Sequence, residues 1–185
     1  ASCLEDSFAM RKLTYYIACS VDGFICHSNG SVDGFLMEGP HADAFVARFA
    51  EFDTVLMGAK TYEFGFQYGL QPGQPAYPNL KHYVFSKSMD FVDSEWVEKV
   101  PSNPEIKVRD LKAVEGKGIW LCGGGQLAGL LIRHQLVDEI ILKVNPILLG
   151  EGRPMAQLCN QTSLKFLHQE VYSNGVVELT YAVNK

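Results

Sequence analysis

The stretch "IWLCGGGQLAGLL", residues 119–131, joins an apolar run to a helix-like segment through three consecutive glycines. Three glycines in a row are entropically costly unless the backbone must approach something closely. Unhindered backbone amides at the start of a helix are suited to binding a pyrophosphate. We therefore predict a strand over residues 118–122 and a helix over about 126–135, with an anion-binding turn between them.

Two further predicted strands end in residues of the same kind. "VLMGAKTYE" offers Gly58 for a close backbone approach, with Lys60 as a cation and Thr61 as a hydroxyl. "VFSKS" offers Ser86 and Lys87, which suit a phosphate monoester through a hydrogen bond and a charge. Taken singly, each is equally well explained as a turn or a solvated lysine. Ligands of parallel α/β sheets bind outside the carboxyl ends of the strands, so the three ends together predict a dinucleotide site.

The glycine stretch also satisfies the Rossmann pattern G-x-G-x-x-A formally, with Gly123, Gly125 and Ala128. That fingerprint further requires an acid about 20 residues on, at the end of the next strand, to bind the ribose. Asp138 and Glu139 precede the next strand and so stand at its wrong end. An ordinary Rossmann fold is therefore not favoured.

Composition and charge bound the class of protein. A chain of 185 residues is predicted to be one domain, and a net charge of −5 argues against nucleic acid as a partner. No apolar run approaches the roughly 20 residues that a membrane span needs. The five cysteines are scattered without a CxxC pair, which predicts buried free thiols in a cytoplasmic protein and no metal site. Residues 1–10 are predicted to be a disordered or vector-derived lead-in to a single domain over 11–185.

The remaining segments indicate an α/β domain with a mixed sheet. An amphipathic helix is predicted over 41–52, and "SEWVEKV" is predicted to form a short helix over 94–100 that Pro101 and Pro104 end. Asn174-Gly175, between two alternating runs, predicts a C-terminal hairpin. The other predicted strands are 12–20, 53–58, 82–88 and the run "VDEIILKVNPILLG".

Five blocks of the sequence together resemble a known family: "YYIACSVDGFI", "DTVLMGAKTYE", "HYVFSKS", "IWLCGGGQLAGLLI" and "VDEIILKVNPILLGEGRP". In this order they are similar to the reductase (C-terminal) domain of the bifunctional riboflavin-biosynthesis deaminase-reductase, within the dihydrofolate reductase-like superfamily. The resemblance covers roughly Arg11 to Lys185, and the zinc-binding pattern of the deaminase domain is absent from the sequence. It implies a stand-alone member with a three-layer fold. A central, mostly parallel mixed sheet is flanked by helices and carries an antiparallel C-terminal hairpin.

The resemblance also implies NADPH across the carboxyl edge of the sheet, and homodimers. The sequence departs from the family at two positions. Ala59 stands where arginine is usual, and Gly34 stands where many members have tryptophan; Phe35 is the candidate substitute for that aromatic ring. The implied cofactor contacts are Ala18 and Ile25 at the nicotinamide, and Gly58, Lys60 and Thr61 at the phosphates. Ser86 and Lys87 are implied at the 2′-phosphate, and Gly123, Gly124, Gly125, Gln126 and Leu127 at the pyrophosphate.

Candidates for the substrate side are few. Asp33 is predicted to bind substrate or deliver a proton, with Glu38 as the second candidate; a solvated loop acid explains each equally well. Asp22 is predicted to be a turn residue. Arg153 is predicted to pair with an anionic group of the substrate, with a surface position as the alternative, and Phe35 to form a wall of the substrate pocket.

The leading hypothesis is an NADPH-dependent oxidoreductase that transfers a hydride to a small heterocyclic or carbonyl substrate. It would be similar to 5-amino-6-(5-phosphoribosylamino)uracil reductase or to dihydrofolate reductase. The riboflavin-pathway version needs a basic phosphate pocket, for which the sequence offers little beyond Lys143 and Arg153. The alternative is a non-catalytic nucleotide-binding or sensing protein that keeps the fold. A small-molecule substrate and a second copy of the chain are the predicted partners, with no nucleic acid or membrane.

Overall fold

Strands and helices alternate along most of the chain. The computed structural model describes residues 9–185, so the prediction for the lead-in falls outside the described residues except at Ala9 and Met10. The helices are α1 (Pro40–Arg48), α2 (Ala59–Glu63), α3 (Pro104–Ala113) and α4 (Gly125–Arg133). The strands are β1 (Leu13–Ser20), β2 (Phe24–Cys26), β3 (Phe52–Gly58), β4 (Lys81–Phe85), β5 (Val97–Val100), β6 (Gly118–Gly123), β7 (Glu139–Asn145), β8 (Arg153–Pro154), β9 (Leu164–Val171) and β10 (Val177–Val183).

Eight of these strands form one sheet in the order β5-β4-β3-β6-β1-β7-β10-β9. The six strands from β5 to β7 run parallel to their neighbours, whereas β10 is antiparallel to both β7 and β9. The turn of the β9–β10 hairpin lies at Asn174 and Gly175, where the φ angle of Gly175 is +94°. A short antiparallel ribbon, β2 with β8, lies apart from the main sheet. The mixed sheet and the C-terminal hairpin that the sequence predicts are thus confirmed.

Helices cover both faces of the sheet, because the central strands are apolar on both sides. On one face, Tyr15 and Leu121 pack against Val108 of α3 and Leu131 of α4. On the other, Trp120 lies in an aromatic cluster with Phe45 of α1, to whose ring its own ring is edge-on at 5.4 Å between centroids. The Trp120 Nε1–H donates to the Tyr16 carbonyl oxygen (3.1 Å). The packing of helices against both faces of the sheet confirms the predicted three-layer arrangement.

The short helix predicted over 94–100 is wrong. Residues 97–100 form β5, parallel to β4, because Val97 and Val100 are β-branched and bury their side chains in the sheet. Pro104, which we expected to end a helix, instead begins α3, since proline lacks only an N–H that the first helical turn leaves free. The helix predicted over 41–52 ends earlier, and Phe52 opens β3.

All four cysteines in the described part of the chain are free. Three of them, Cys19, Cys26 and Cys122, are buried as the sequence predicts, whereas Cys159 is exposed; Cys3 lies outside the described residues. Within residues 9–185, none of the helices has the length and apolar character needed to cross a membrane.

Candidate functional site

The three strand ends that the sequence singles out meet at one edge of the sheet. Gly58, at the end of β3, pairs with Phe85 at the end of β4, and Met57 pairs with Gly123 at the end of β6. Ser86 directly follows the end of β4. The adjacency follows from the strand order β4-β3-β6, which the sequence alone does not specify.

A cleft of about 640 Å³ opens at this edge. It is bounded by the glycine turn, the start of α4, the start of α2 and the β2–β8 ribbon. Of the predicted site residues, it contains Ile25, Gly58, Lys60, Thr61, Gly124, Gly125, Gln126, Leu127 and Arg153. Residues that the sequence reasoning did not name for this site also line it, among them Ile17, Cys26, Phe64, Tyr77, Cys122 and Gln157.

The glycines of the turn serve two different purposes. Gly123 has a φ of +133°, which favours glycine, and its peptide bond to Gly124 is cis. A Cβ atom built on Gly124 would lie 3.5 Å from Thr61 Oγ1, on the cleft side of the turn, which is an ordinary contact. A Cβ on Gly125 would lie 2.3 Å from the Pro154 carbonyl oxygen. Gly124 therefore keeps the cleft open, whereas Gly125 lets α4 pack against the chain that follows β8.

The start of α4 supplies hydrogen-bond donors to the cleft. The helix begins at Gly125, and Gly124 to Leu127 line the cleft. The first N–H groups of any α-helix have no acceptor within the helix, and the helix dipole adds a partial positive charge there. Together with the glycine turn, this is a suitable environment for a pyrophosphate.

Two cations face the same cleft. Lys60 follows the end of β3, and Arg153 is held by the pairing of β8 with Cys26 of β2. Neither has a carboxylate within 4.0 Å among residues 9–185. The Arg153 guanidinium lies against the backbone of Gly30, where a Cβ atom would be 3.2 Å from its Nη1. Arg153, which we expected on the substrate side, thus lines the same cleft as Gly124, with its guanidinium against the loop at Gly30.

Four of the predicted cofactor contacts do not line the cleft: Ala18, Ser86, Lys87 and Gly123, the last of which lies between the lining residues Cys122 and Gly124. Ala18 points to the α1 side of β1, and its neighbour Ile17 lines the cleft instead. Ser86 is buried, and its Oγ accepts hydrogen bonds from the backbone N–H groups of Ser88 (3.3 Å) and Met89 (3.0 Å). Lys87 is exposed just beyond β4.

The predicted acids do not reach the cleft. Asp33 and Glu38 are exposed in the loop between β2 and α1, and neither carboxylate has a hydrogen bond or an ion pair within residues 9–185. Phe35, in the same loop, is buried at 8% exposure and also lies outside the cleft. Asp22 fulfils its predicted turn role: its carboxylate accepts from Ser20 Oγ and from the N–H of Gly150. These bonds hold the pKa of Asp22 at about 2.

Sequence reasoning gave little weight to a buried polar cluster on the α1 side of the sheet. Glu178 of β10 is 2% exposed; its Oε1 accepts from Arg48 Nη2 (2.7 Å) and its Oε2 from the Tyr16 hydroxyl (3.0 Å). Lys143 of β7 pairs with Glu178 in the ladder and is 9% exposed. The available signal was a single lysine within the otherwise apolar run "EIILKVNPILL".

The sheet order, the glycine turn at the carboxyl edge and the antiparallel C-terminal strands define a dihydrofolate reductase-like α/β protein. The model of the RibD C-terminal domain family matches residues 11–178, so the chain belongs to that family, whose members are reductase-type proteins.

The relatives are similar over nearly their whole length. The chain is 30% identical over 190 residues to the uncharacterized protein YyaP of Bacillus subtilis, covering 98% of this chain and all of that protein. A pyrimidine reductase-like protein of Corynebacterium diphtheriae has a similar structure, with a TM-score of 0.71 at 17% identity and coverage of 95% and 92% of the two chains. Dihydrofolate reductase of Enterococcus faecalis, complexed with NADP(H), matches with a TM-score of 0.62 at 16% identity and coverage of 94% and 97%. At these identities, the two structures bear on the fold alone.

Proposed function

We propose that this protein is an NADPH-dependent reductase that transfers a hydride to a small heterocyclic or carbonyl substrate. The observation that carries the proposal is the composition of the cleft at the carboxyl edge. It brings together the Gly124 turn, the first turn of α4, and the cations Lys60 and Arg153. A dinucleotide has anionic groups at separated points. The backbone amides and cations of the cleft are likewise spread over several points, so they can bind these anionic groups.

Each group has a distinct role in this proposal. The amides at the start of α4 bind the pyrophosphate, Lys60 and Arg153 neutralise it, and Lys87 beyond β4 binds the 2′-phosphate. The family arginine that would stand at Ala59 is absent, which leaves Lys60 and Lys87 as the cations for the 2′-phosphate. When bound, the cofactor supplies the hydride; the chain orients it and keeps water away with the apolar walls at Ile17 and Ile25.

The substrate class follows from what surrounds the cleft. A phosphorylated substrate, such as the ribosylamino-pyrimidine phosphate of the riboflavin pathway, needs an open basic pocket away from the dinucleotide. Arg153 lines the dinucleotide cleft, and Lys143 is a single, mostly buried lysine on the side of the sheet that holds the Arg48–Glu178 ion pair, so the two do not form such a basic pocket. We therefore favour an unphosphorylated heterocycle or carbonyl compound. The roles of Asp33, Glu38 and Phe35 on the substrate side stay predictions.

A second candidate function is a nucleotide sensor without catalysis. It is favoured by the exposure of Asp33 and Glu38, neither of which lies in the cleft. Oxidation of NADPH, followed with a panel of pterin, pyrimidine and quinone substrates, decides between the two. Turnover of any member supports the reductase, whereas tight NADPH binding without turnover of any member supports the sensor.

Two lysines are expected to affect the two nicotinamide dinucleotides differently. Lys60→Met removes a cation from the pyrophosphate region and should weaken NADPH and NADH alike, by about tenfold. Lys87→Met should weaken NADPH by a similar factor and leave NADH unchanged, because only NADPH carries the 2′-phosphate. Isothermal titration calorimetry measures both constants. Lys117→Met, at an exposed lysine before the start of β6 and outside the cleft, is the control and should change neither; equal effects of Lys87→Met on both nucleotides would contradict the assignment.

The second predicted partner is another copy of the chain. Strand β9 forms one edge of the sheet, and all eight of its residues are exposed, including Phe166 at 53% and Leu167 at 47%. We propose that this apolar edge pairs in a homodimer. Sedimentation equilibrium should give a dimer for the wild type and a monomer for Leu167→Asp; a monomeric wild type would contradict it. The cytoplasmic location stays a prediction.

A further inference from the structure

Lys143 is buried without a partner for its charge. Its side chain crosses the α1 side of the sheet, with Nζ 3.6 Å from the centroid of the Phe45 ring and 5.0 Å from that of Tyr16. Only 9% of the residue is exposed, and within residues 9–185 no acceptor is hydrogen-bonded to Nζ. Burying an ammonium group is costly unless it is paired and hydrogen-bonded. Packing over two rings compensates only in part.

The nearby acid is already engaged. Both carboxylate oxygens of Glu178 are occupied, one by Arg48 and one by the Tyr16 hydroxyl. Burial lowers the pKa of Lys143 to about 8; repulsion from Arg48 acts in the same direction, and attraction to Glu178 opposes it only in part. The ammonium group is therefore not part of the ion pair that stabilises this side of the fold.

Lys143 lies next to the cleft. It pairs in the ladder with Ala18, the position where the family resemblance places the nicotinamide, and the small alanine leaves room for the long side chain. Cys122 lines the cleft, and the charge of Lys143 acts on its thiol: burial raises the pKa of Cys122 to about 12, and Lys143 opposes the rise. Tyr77 also lines the cleft, and the neighbouring Cys122 raises the pKa of its hydroxyl.

We propose that Lys143 determines substrate specificity by donating a hydrogen bond from Nζ to the ring carbonyl oxygen of a flat heterocyclic substrate. This inference rests on the proposed reductase function and names the chemistry of its substrate. The partly exposed ring of Phe45 provides aromatic surface for a flat ring, and a carbonyl oxygen satisfies the free ammonium. A site built around a buried donor discriminates strongly against an analogue that lacks the acceptor.

The test compares two probes that differ by one carbonyl. Quinazolin-4-one and quinazoline are titrated into the protein, with and without saturating NADP⁺, and followed by ligand-observed NMR. We expect the wild type to bind quinazolin-4-one at least about tenfold more tightly than quinazoline. Lys143→Met should abolish this preference, and Lys143→Arg, which keeps a cationic donor, should retain part of it. The preference of the wild type should also decline as pH rises through about 8, where Lys143 loses its proton.

Stability separates this role from a structural one. The pKa of Lys143 is about 8 in the folded protein and 10.5 in the unfolded chain, so the unfolded chain binds more protons between about pH 8 and 10.5. The buried charge therefore lowers the free energy of unfolding by its full amount below pH 8. This destabilisation declines as the pH rises from about 8 to 10.5. Lys143→Met should therefore have a Tm equal to or above that of the wild type at pH 7, with the gap closing by pH 10.5. Lys99→Met is the matched control: Lys99 Nζ also lies over a ring, 5.3 Å from the Phe91 centroid, but away from the cleft. It should leave the carbonyl preference intact.

Two results would overturn the proposal: a wild type without carbonyl preference, or a preference that survives in a folded Lys143→Met. A lower Tm of Lys143→Met at pH 7 would assign the lysine to the fold instead. A failure of the reductase proposal would be distinguishable from a failure of this one, because the wild-type protein would then not bind NADPH at all. NADPH affinity should be the same in Lys143→Met and wild type.

Discussion

Gly124→Val is expected to abolish binding of NADPH and NADH while leaving the fold intact. A Cβ atom at this position would meet only Thr61 Oγ1 at 3.5 Å and Ile25 Cδ1 at 4.0 Å, so the protein itself has room for it. The new side chain would instead fill the space between these residues, where the glycine turn faces the cleft. We expect affinity for both dinucleotides to fall by at least about a hundredfold, which corresponds to roughly 2.7 kcal/mol.

The measurement is a fluorescence titration of each nucleotide, with a thermal melt to verify folding. The Tm of Gly124→Val should lie within about 2 °C of the wild type, since the added contacts are ordinary ones. Gly124→Ala, with one methyl group, should bind more weakly than wild type and more tightly than the valine variant. Near-normal NADPH affinity in a folded Gly124→Val would show that the cofactor does not lie against this turn.

Gly129→Ala is expected to have the opposite effect, a large loss of stability with the cleft unchanged. Alanine usually stabilises a helix relative to glycine, by roughly 1 kcal/mol. Here its Cβ would lie 2.1 Å from the Gln157 carbonyl oxygen, which Arg133 Nη1 already holds by a 2.8 Å hydrogen bond. The helix and the chain after β8 must then move apart. We expect the free energy of unfolding to fall by about 3 kcal/mol and Tm by about 6 to 12 °C.

Gly124→Ala is the matched control for Gly129→Ala, since the two glycines differ in what their Cβ atoms would contact. At temperatures where it is folded, Gly129→Ala should still bind NADPH. An unchanged or higher Tm would mean that this helix is not packed as closely as the structure has it. The pair of variants thus separates the glycine that serves the ligand from the glycine that serves the packing.

The fold could be predicted from short segments because each carries its own signal. The run "IWLCGGGQLAGLL" marks a strand, a turn and a helix, and Asn174-Gly175 marks a hairpin. β5 could not be told from a helix, since the seven-residue segment "SEWVEKV" has no decisive period and Pro104 fits either the end or the start of a helix. Its parallel pairing with β4, a contact between distant segments, fixes it as a strand.

The site was predictable only where strands end. Gly58, Gly124 and Lys60 follow directly from strand ends, and the structure brings all three to one cleft. Tertiary contacts govern the rest. The position of Arg153 depends on the β2–β8 ribbon. That Lys143 lacks a partner for its charge is evident only from the structure, in which Glu178 is bound to Arg48 instead. Loop acids such as Asp33 carry no local signal that distinguishes a catalytic group from a solvated one.

The central claim is that the cleft at the carboxyl edge binds NADPH. Calorimetric titration of the wild-type protein with NADPH and NADH tests it most directly. The structure predicts one site per chain, micromolar or tighter affinity for NADPH, and weaker affinity for NADH. Absence of binding by either nucleotide, in a protein shown to be folded by its thermal melt, would contradict the claim.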